Sequence, residues 1–359
     1  MFTIKKKDDY EYFLDNNINR ILIKDFNLNS LIKRIIKKRL NIFIYQFSYS
    51  NQINALNKLK NIQIIFYLHQ SFFYWIYSNY TIFKSLYNSY KESKYIISLI
   101  HFENDYIFKK WGIKTILMNN FITYEYNSSF PIDLSSRIIL MIGRSNDRLK
   151  RFDLGIQAME YIVKEIPVVQ MKVMTNITSN EYLNNIISNL NLDKNIHFIE
   201  YSPIPEKNFR NISLNIITSV SESFSLVLSE TKVFGIPNIL IGLDYLSTAN
   251  GGILIIYDDS PECIAKESIK LLINDYYRKN LGKEARTSMK KFENKILLNN
   301  WINLILSIYN NKEYAENFNK KINENKAINQ LKTQILLLEK RKIIVKNITL
   351  NNIENFTNL

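Results

Sequence analysis

Short runs of β-branched and aromatic residues alternate along this chain with stretches of helical periodicity, and that alternation restricts the fold more than any other feature. The runs fall at residues 20–25, 41–47, 63–68, 95–100 and 114–118, and again at 137–142, 169–174, 196–200, 214–218, 238–241 and 253–257. A strand that returns after each helix re-enters its sheet in the same direction, so mainly parallel sheets are expected, an α/β fold. Glycine and proline then divide the chain. None of the six prolines and, of the eight glycines, only Gly112 lies before residue 131. The Ser-, Pro- and Asn-containing stretch at 127–136 reads as a linker, giving a first domain at 1–130, a second at 131–311 and a polar helical tail at 312–359.

Two folded domains are affordable on composition, since 46% of the 359 residues are hydrophobic. The net charge of +14 is spread along the chain rather than gathered in a recognisable module, so no nucleic-acid partner is expected. A single cysteine, Cys263, forms no internal disulfide, lacks partners for a zinc site and is expected to be buried, which fits a reducing, cytoplasmic setting. The first residues are charged where a secretory signal needs an apolar stretch, and no run is long enough to span a bilayer. Residues 30–40 set Ile32, Ile35 and Ile36 beside Lys33, Arg34, Lys37, Lys38 and Arg39. Such a helix either packs on a sheet with its basic side outward or lies on an anionic membrane, making the protein peripheral there. In the tail, Ile328, Leu331, Ile335 and Leu338 form a seam that belongs either to a helix packing on its own protein or to a self-association element.

Two strand-to-helix junctions carry the chemistry. In residues 219–240 a strand ends, a turn carries Glu222 and an amphipathic helix carries Glu230, with Gly235, Ile236 and Pro237 following. The helical rise puts the two carboxylates roughly 12 Å apart, too far for a glycoside hydrolase pair but suited to two contacts along one elongated ligand. The helix N-terminus between them offers free N–H groups to phosphate or sugar oxygens. In residues 138–159 a strand runs into Gly143 and Arg144, and a short loop brings Lys150 and Arg151 to the next helix. Glycine allows a tight turn and close ligand approach, and the cations offset negative charge. Both junctions lie at the carboxyl edge of a sheet, so they can face one ligand. Asp258 and Asp259 precede a helix start at Ser260-Pro261, where acids favour the dipole, and are read as no metal site. Gly251-Gly252 reads as a turn, and His101 and His197 as structural.

Over about residues 114–310 the sequence resembles retaining glycosyltransferase family 4, of the GT-B type in which two Rossmann-like domains face each other across a cleft. The resemblance rests on Glu222, Glu230 and Gly235-Ile236-Pro237, with Gly143-Arg144 and Lys150 in register. It implies that Arg144 and Lys150 neutralise the diphosphate of a nucleotide sugar and that Glu230 accepts hydrogen bonds from ribose. It further implies that Glu222 and the amides of Ser223, Phe224, Ser225 and Leu226 touch donor sugar and phosphates, with Gly143 lining the same site. FYLHQS resembles the family's strand-end histidine, making His69 the candidate to face the reacting sugar, and LMNNFI places Asn120 near the hinge. The expected reaction is metal-independent transfer, with retention, from a UDP- or GDP-linked sugar to a hydroxyl of a glycan or lipid-linked acceptor, with no resident cofactor. Arg144, Lys150, Glu222 and His69 form the expected catalytic set. Two departures stand out. Ser223 and Ser225 occupy a turn that usually has glycines, and no glycine precedes Gly112, so the first domain is expected to be shortened or diverged. The alternative is a degenerate GT-B protein acting as a non-catalytic partner or regulatory subunit.

Overall fold

The computed structural model describes residues 2–3, 21–22, 28–46, 49–126, 132–144, 147–175, 180–312 and 324–341. In chain order its strands are β1 (Phe2–Thr3), β2 (Ile21–Leu22), β3 (Ile42–Tyr45), β4 (Gln63–Tyr67), β5 (Tyr95–Ser98), β6 (Ile116–Leu117), β7 (Ile138–Ile142), β8 (Gln170–Met174), β9 (Ile196–Ile199), β10 (Leu214–Ile217), β11 (Asn238–Ile241) and β12 (Ile253–Ile256). The helices are α1 (Leu28–Lys37), α2 (Ser50–Asn57), α3 (Phe72–Ser78), α4 (Tyr80–Lys91), α5 (Phe152–Glu165), α6 (Glu181–Asn189), α7 (Pro205–Phe209), α8 (Leu226–Val233), α9 (Pro261–Ile273), α10 (Asp275–Ser288), α11 (Asn294–Tyr309) and α12 (Glu324–Lys340). A π-helical turn spans Glu103–Phe108. Of the expected linker, residues 127–131 lie outside the described residues, and the remainder closes in a short 3-10 turn, Leu134–Ser136.

Two parallel sheets result, of four strands in the order β3-β4-β5-β6 and of six in the order β12-β11-β10-β7-β8-β9, beside the short β1-β2 pair. The central strands β10 and β11 are buried at every position. Helices cover both faces of such a sheet, so a continuous apolar run replaces alternation. Their polar exceptions pair with each other, Asn215 Nδ2 donating to Asn238 Oδ1 at 2.7 Å. α5 approaches the sheet closely because Gly155 has no Cβ; one there would lie 2.3 Å from Met141 Sδ. Ser260 caps α9, its Oγ accepting from Cys263 N at 3.2 Å, with Pro261 at the first helical position. Cys263 itself is half-buried, not the fully buried cysteine expected, because it packs against the apolar cluster from the helix's first turn, at the edge of that cluster.

α1 packs Leu31 and Ile35 inward and leaves Ile36 and the basic side chains outward, the sheet-packing arrangement. The tail seam is likewise settled in favour of the chain itself. Leu331, Ile335 and Leu338 are buried in the same apolar cluster as the first domain's core, each side chain contributing about 1.5–3 kcal/mol over exposure. α12 lies against the π-helical turn of the first domain. Gln330 Nε2 donates to Asp244 O at 3.3 Å and Gln334 to Gly242 O, both in the second domain. No helix among the described residues is long and apolar enough to cross a membrane.

Candidate functional site

In the six-stranded sheet β7 is followed outward by β8 and β9 on one side, and adjoins β10, β11 and β12 on the other. Chain connections therefore leave in opposite directions from β7 and β10, which opens a crevice at their carboxyl ends, the position where open α/β sheets bind ligands. The loop after β7 carries Gly143, Arg144 and Lys150, and the loop after β10 carries Glu222. Thr218 fastens them together, its Oγ1 donating to Lys150 O at 2.6 Å and Arg151 O at 2.8 Å, and Val220 N donates to Leu149 O at 2.8 Å.

Lys150 ends a 3-10 turn whose start is capped by Asp147. Its Nζ reaches Glu222 Oε1 at 2.6 Å, an oxygen that also accepts from Ser219 Oγ at 2.8 Å. Gly143 makes room for this lysine, since a Cβ there would lie 3.2 Å from Lys150 Cγ. Arg144, by contrast, is 70% exposed and pairs with Asp147 at 2.7 Å. Both expected cations thus already hold carboxylates, Lys150 inside the crevice and Arg144 at its rim.

The turn from Glu222 to Leu226 is held from below. Tyr245 Oη accepts from Glu222 N at 3.2 Å and donates to Glu222 O at 2.9 Å, and Thr248 Oγ1 donates to Phe224 O at 2.7 Å. The Phe224 side chain is fully buried, 5.7 Å from the Phe292 ring, so only its main chain can meet a ligand. Ser225 has a φ of +60°, the left-handed conformation that glycine adopts without strain. Its hydroxyl accepts from Leu228 N and caps α8. Ser223 turns the other way, its Oγ donating to His69 O at 2.6 Å across to the first domain.

Glu230 lies on the inner face of α8, 8% exposed, accepting a hydrogen bond from Thr123 Oγ1 at 2.6 Å. Burial pushes its carboxyl from 4.5 up to about 6, with the Thr123 hydrogen bond opposing. Folded protein then binds more protons here than unfolded protein between those values, so stability falls as pH rises through that window. The shift corresponds to about 2 kcal/mol. Glu230→Gln removes this dependence, and urea unfolding from pH 4 to 7 is expected to show the wild type losing about 2 kcal/mol relative to the variant. A pH-independent difference between the two proteins would contradict the buried-acid reading.

His69 follows β4 in the first domain, its ring centroid 4.2 Å from that of Tyr67, and burial lowers its pKa so that the neutral imidazole prevails near neutrality. It opens on a cavity of about 560 Å³ lined also by Gln46, Asn51, Gln70, Trp75 and Ser85, with no acidic or basic side chain among the described residues of its wall apart from the imidazole itself. Glu103 fixes the next turn, accepting from Ser71 Oγ at 2.8 Å and Phe73 N at 2.7 Å, while burial raises its pKa to about 7. Asn120 accepts from Tyr67 Oη, and two residues on, Ile122 exchanges hydrogen bonds with Asn294 at the start of α11 (3.2 and 3.3 Å). The connecting segment is therefore tied to both domains.

Sequence reasoning singled out neither Tyr245, Thr123 nor Lys232. Lys232 is fully buried and donates to Thr248 O and Asn250 O at 2.6 Å each, with its pKa lowered to about 7 first by burial and then by the charge of Lys291. Their partners are distant in sequence, so no local pattern marks them. Asp259 meets Arg341 at 2.8 Å, and His197 meets Gln170 at 2.7 Å.

Two parallel α/β domains facing each other, with the second domain's crevice opposite a strand-end histidine, define the GT-B class. Within it, residues 124–288 match the family Glycosyl transferases group 1. The chain is similar to the poly(ribitol-phosphate) alpha-N-acetylglucosaminyltransferase of Staphylococcus aureus (strain COL), with 24% identity over 164 residues, 44% of this chain and 33% of that protein. It is also similar to the poly(glycerol-phosphate) alpha-glucosyltransferase of Bacillus subtilis (strain 168), with 22% identity over 204 residues, 56% of this chain and 30% of that protein. The chain thus matches about a third of the length of these relatives. Among solved structures, a variant of S. aureus TarM in complex with fondaparinux, alpha-GlcNAc-glycerol and UDP superposes with a TM-score of 0.67 at 19% identity, covering 79% of this chain and 59% of that one.

Proposed function

We propose that this chain transfers a sugar, with retention, from a UDP-linked donor to a hydroxyl of a glycan or other polymer acceptor. The observation that carries the reading is the switch-point crevice in which Lys150, Glu222 and the start of α8 converge. UDP bound in the TarM complex and the polymer acceptors in the names of the two relatives support it.

Charge builds on the departing diphosphate as the glycosidic bond breaks, and preorganised donors lower that barrier. Lys150 and the amides of Ser223, Ser225 and Leu226 take this role, with Gly143 leaving space and Arg144 swinging in from the rim. Glu222 holds Lys150 in place before the donor arrives and then shares it. Glu230, already desolvated, accepts from the ribose hydroxyls. His69 faces the reacting sugar as a neutral hydrogen-bonding group. The cavity beside it, rich in amides and hydroxyls with Trp75 at its wall, is where the acceptor would enter. Division into 1–130, 131–311 and 312–359 follows this scheme, with domain closure excluding water. The basic face of α1 is a candidate for contact with an anionic membrane.

One observation favours a second reading, a non-catalytic partner of GT-B form. Ser223 already bridges to His69 without ligand, at the point where the family usually has glycine. A single experiment separates the two. Thermal unfolding is followed for wild type and Glu230→Ala with UDP, GDP, ADP and CMP and their common sugar conjugates. A specific nucleotide at about a hundred times its dissociation constant adds roughly 2.7 kcal/mol. The expected result is stabilisation of the wild type by UDP and its loss in Glu230→Ala. Stabilisation by none of them, in a protein that still unfolds cooperatively, overturns the transferase reading.

A further inference from the structure

A second cleft, lined by neither Lys150 nor Glu222, opens on the other side of the same turn. Its wall contains Arg148, Arg151, Lys340 and Arg341, with Tyr74 of α3 contributed by the first domain. Two carboxylates stand among these four cations. Asp153 takes Arg151 Nε at 3.3 Å, and Asp259 takes Arg341 Nε at 2.8 Å. Arg148 and Lys340, both exposed, have no carboxylate partner among the described residues. The cleft is therefore left with an excess of two positive charges.

Arg341 gives the sharper signal. Its side chain is 1% exposed, yet among the described residues Nη2 has no hydrogen-bond acceptor and Nη1 reaches only Val220 O at 3.5 Å. Burial works against its charge, Asp259 supports it, and the charge of Arg151 opposes it. A buried guanidinium N–H without an acceptor costs free energy, and proteins rarely retain one without a ligand or counter-ion to meet it. Three guanidinium groups and an ammonium lining one cleft match a phosphate oxyanion, whose several oxygens can accept from more than one of them.

We propose that this cleft binds a phosphate or phosphodiester group, held by Arg148, Arg151, Lys340 and Arg341 and separate from the donor crevice. Such a group joins α12 to the turn that carries Lys150, and Tyr74 brings it to the boundary of the first domain.

The test is calorimetric titration of the full chain with inorganic phosphate and with the soluble phosphodiester glycerophosphoglycerol, each with and without saturating UDP. Arg148→Ala/Lys340→Ala is the informative variant, because both side chains are exposed and their loss leaves the core intact. Expected is phosphate binding that persists with UDP present and weakens about tenfold or more in the double variant, whose UDP affinity is unchanged. Binding of glycerophosphoglycerol as well identifies a seat for a phosphate within a larger molecule, and binding of inorganic phosphate alone identifies a free-ion seat. Equal affinity in wild type and double variant, displacement of phosphate by UDP, or no heat at millimolar phosphate overturns the proposal. The titrations without nucleotide stand whether or not UDP is the donor nucleotide.

Discussion

Replacing Lys150 by alanine is expected to lower kcat about a hundredfold to a thousandfold while leaving the fold intact, the usual cost of losing one preorganised donor at a developing negative charge. The fold should survive because the turn is held by main-chain contacts, Lys150 O on Thr218 and Leu149 O on Val220, and not by the amine. Glu222 would lose its partner but keep Ser219, and it is not fully enclosed, its side chain being 14% exposed. Steady-state kinetics with the nucleotide sugar selected by the thermal panel, beside a urea titration of the same variant, measure both halves. Near-normal turnover would remove Lys150 from the mechanism.

The second large effect concerns stability. Gly252, just ahead of β12, has a φ of +69°, and a Cβ there would lie 2.2 Å from Ala285 Cα and Cβ and 2.3 Å from Ala285 N. The obstruction includes the main chain of α10, which no side-chain rotation relieves. Gly252→Ala is expected to cost about 4 kcal/mol or more, the range reached when backbone strain and overpacking coincide. Gly112→Ala is the control. Its φ is +66° but nothing lies within 4 Å of the added methyl, so only the conformational cost of about 1–2 kcal/mol remains. Urea midpoints of the two variants should differ accordingly, and equal midpoints would show that α10 can shift at little cost.

Much of this architecture is legible in the residues because parallel strands buried on both faces are continuous apolar runs. The run at 238–241 coincides with β11, and the run at 137–142 with β7 to within a residue. The two loops of the switch-point crevice are legible for a related reason. Each is a local signal, glycine and cations after one strand, acid and helix start after another, and the sheet order brings them side by side. Contacts between distant segments stay hidden. Nothing around Tyr245 announces that it grips both main-chain groups of Glu222, and nothing around Thr123 announces Glu230. The pairing of Lys150 with Glu222 spans 72 residues, so a cation expected to be free is found occupied. Ser225 is a different case, since its left-handed backbone becomes visible only in three dimensions. The seam on α12 was readable as apolar, but which surface covers it depends on the π-helical turn of the first domain.

That helix also bears on how the molecule is made. Both sheets lie upstream of α12 in the chain, so during synthesis each can assemble before residues 324–340 emerge. The connecting segment near Asn120, the α11 contacts and the bridge from Ser223 to His69 already join them. Docking of α12 on Asp244, Gly242 and the π-helical turn adds a further tie between the two domains. The last of the described helices to leave the ribosome is thus the one that touches both sheets' domains at once.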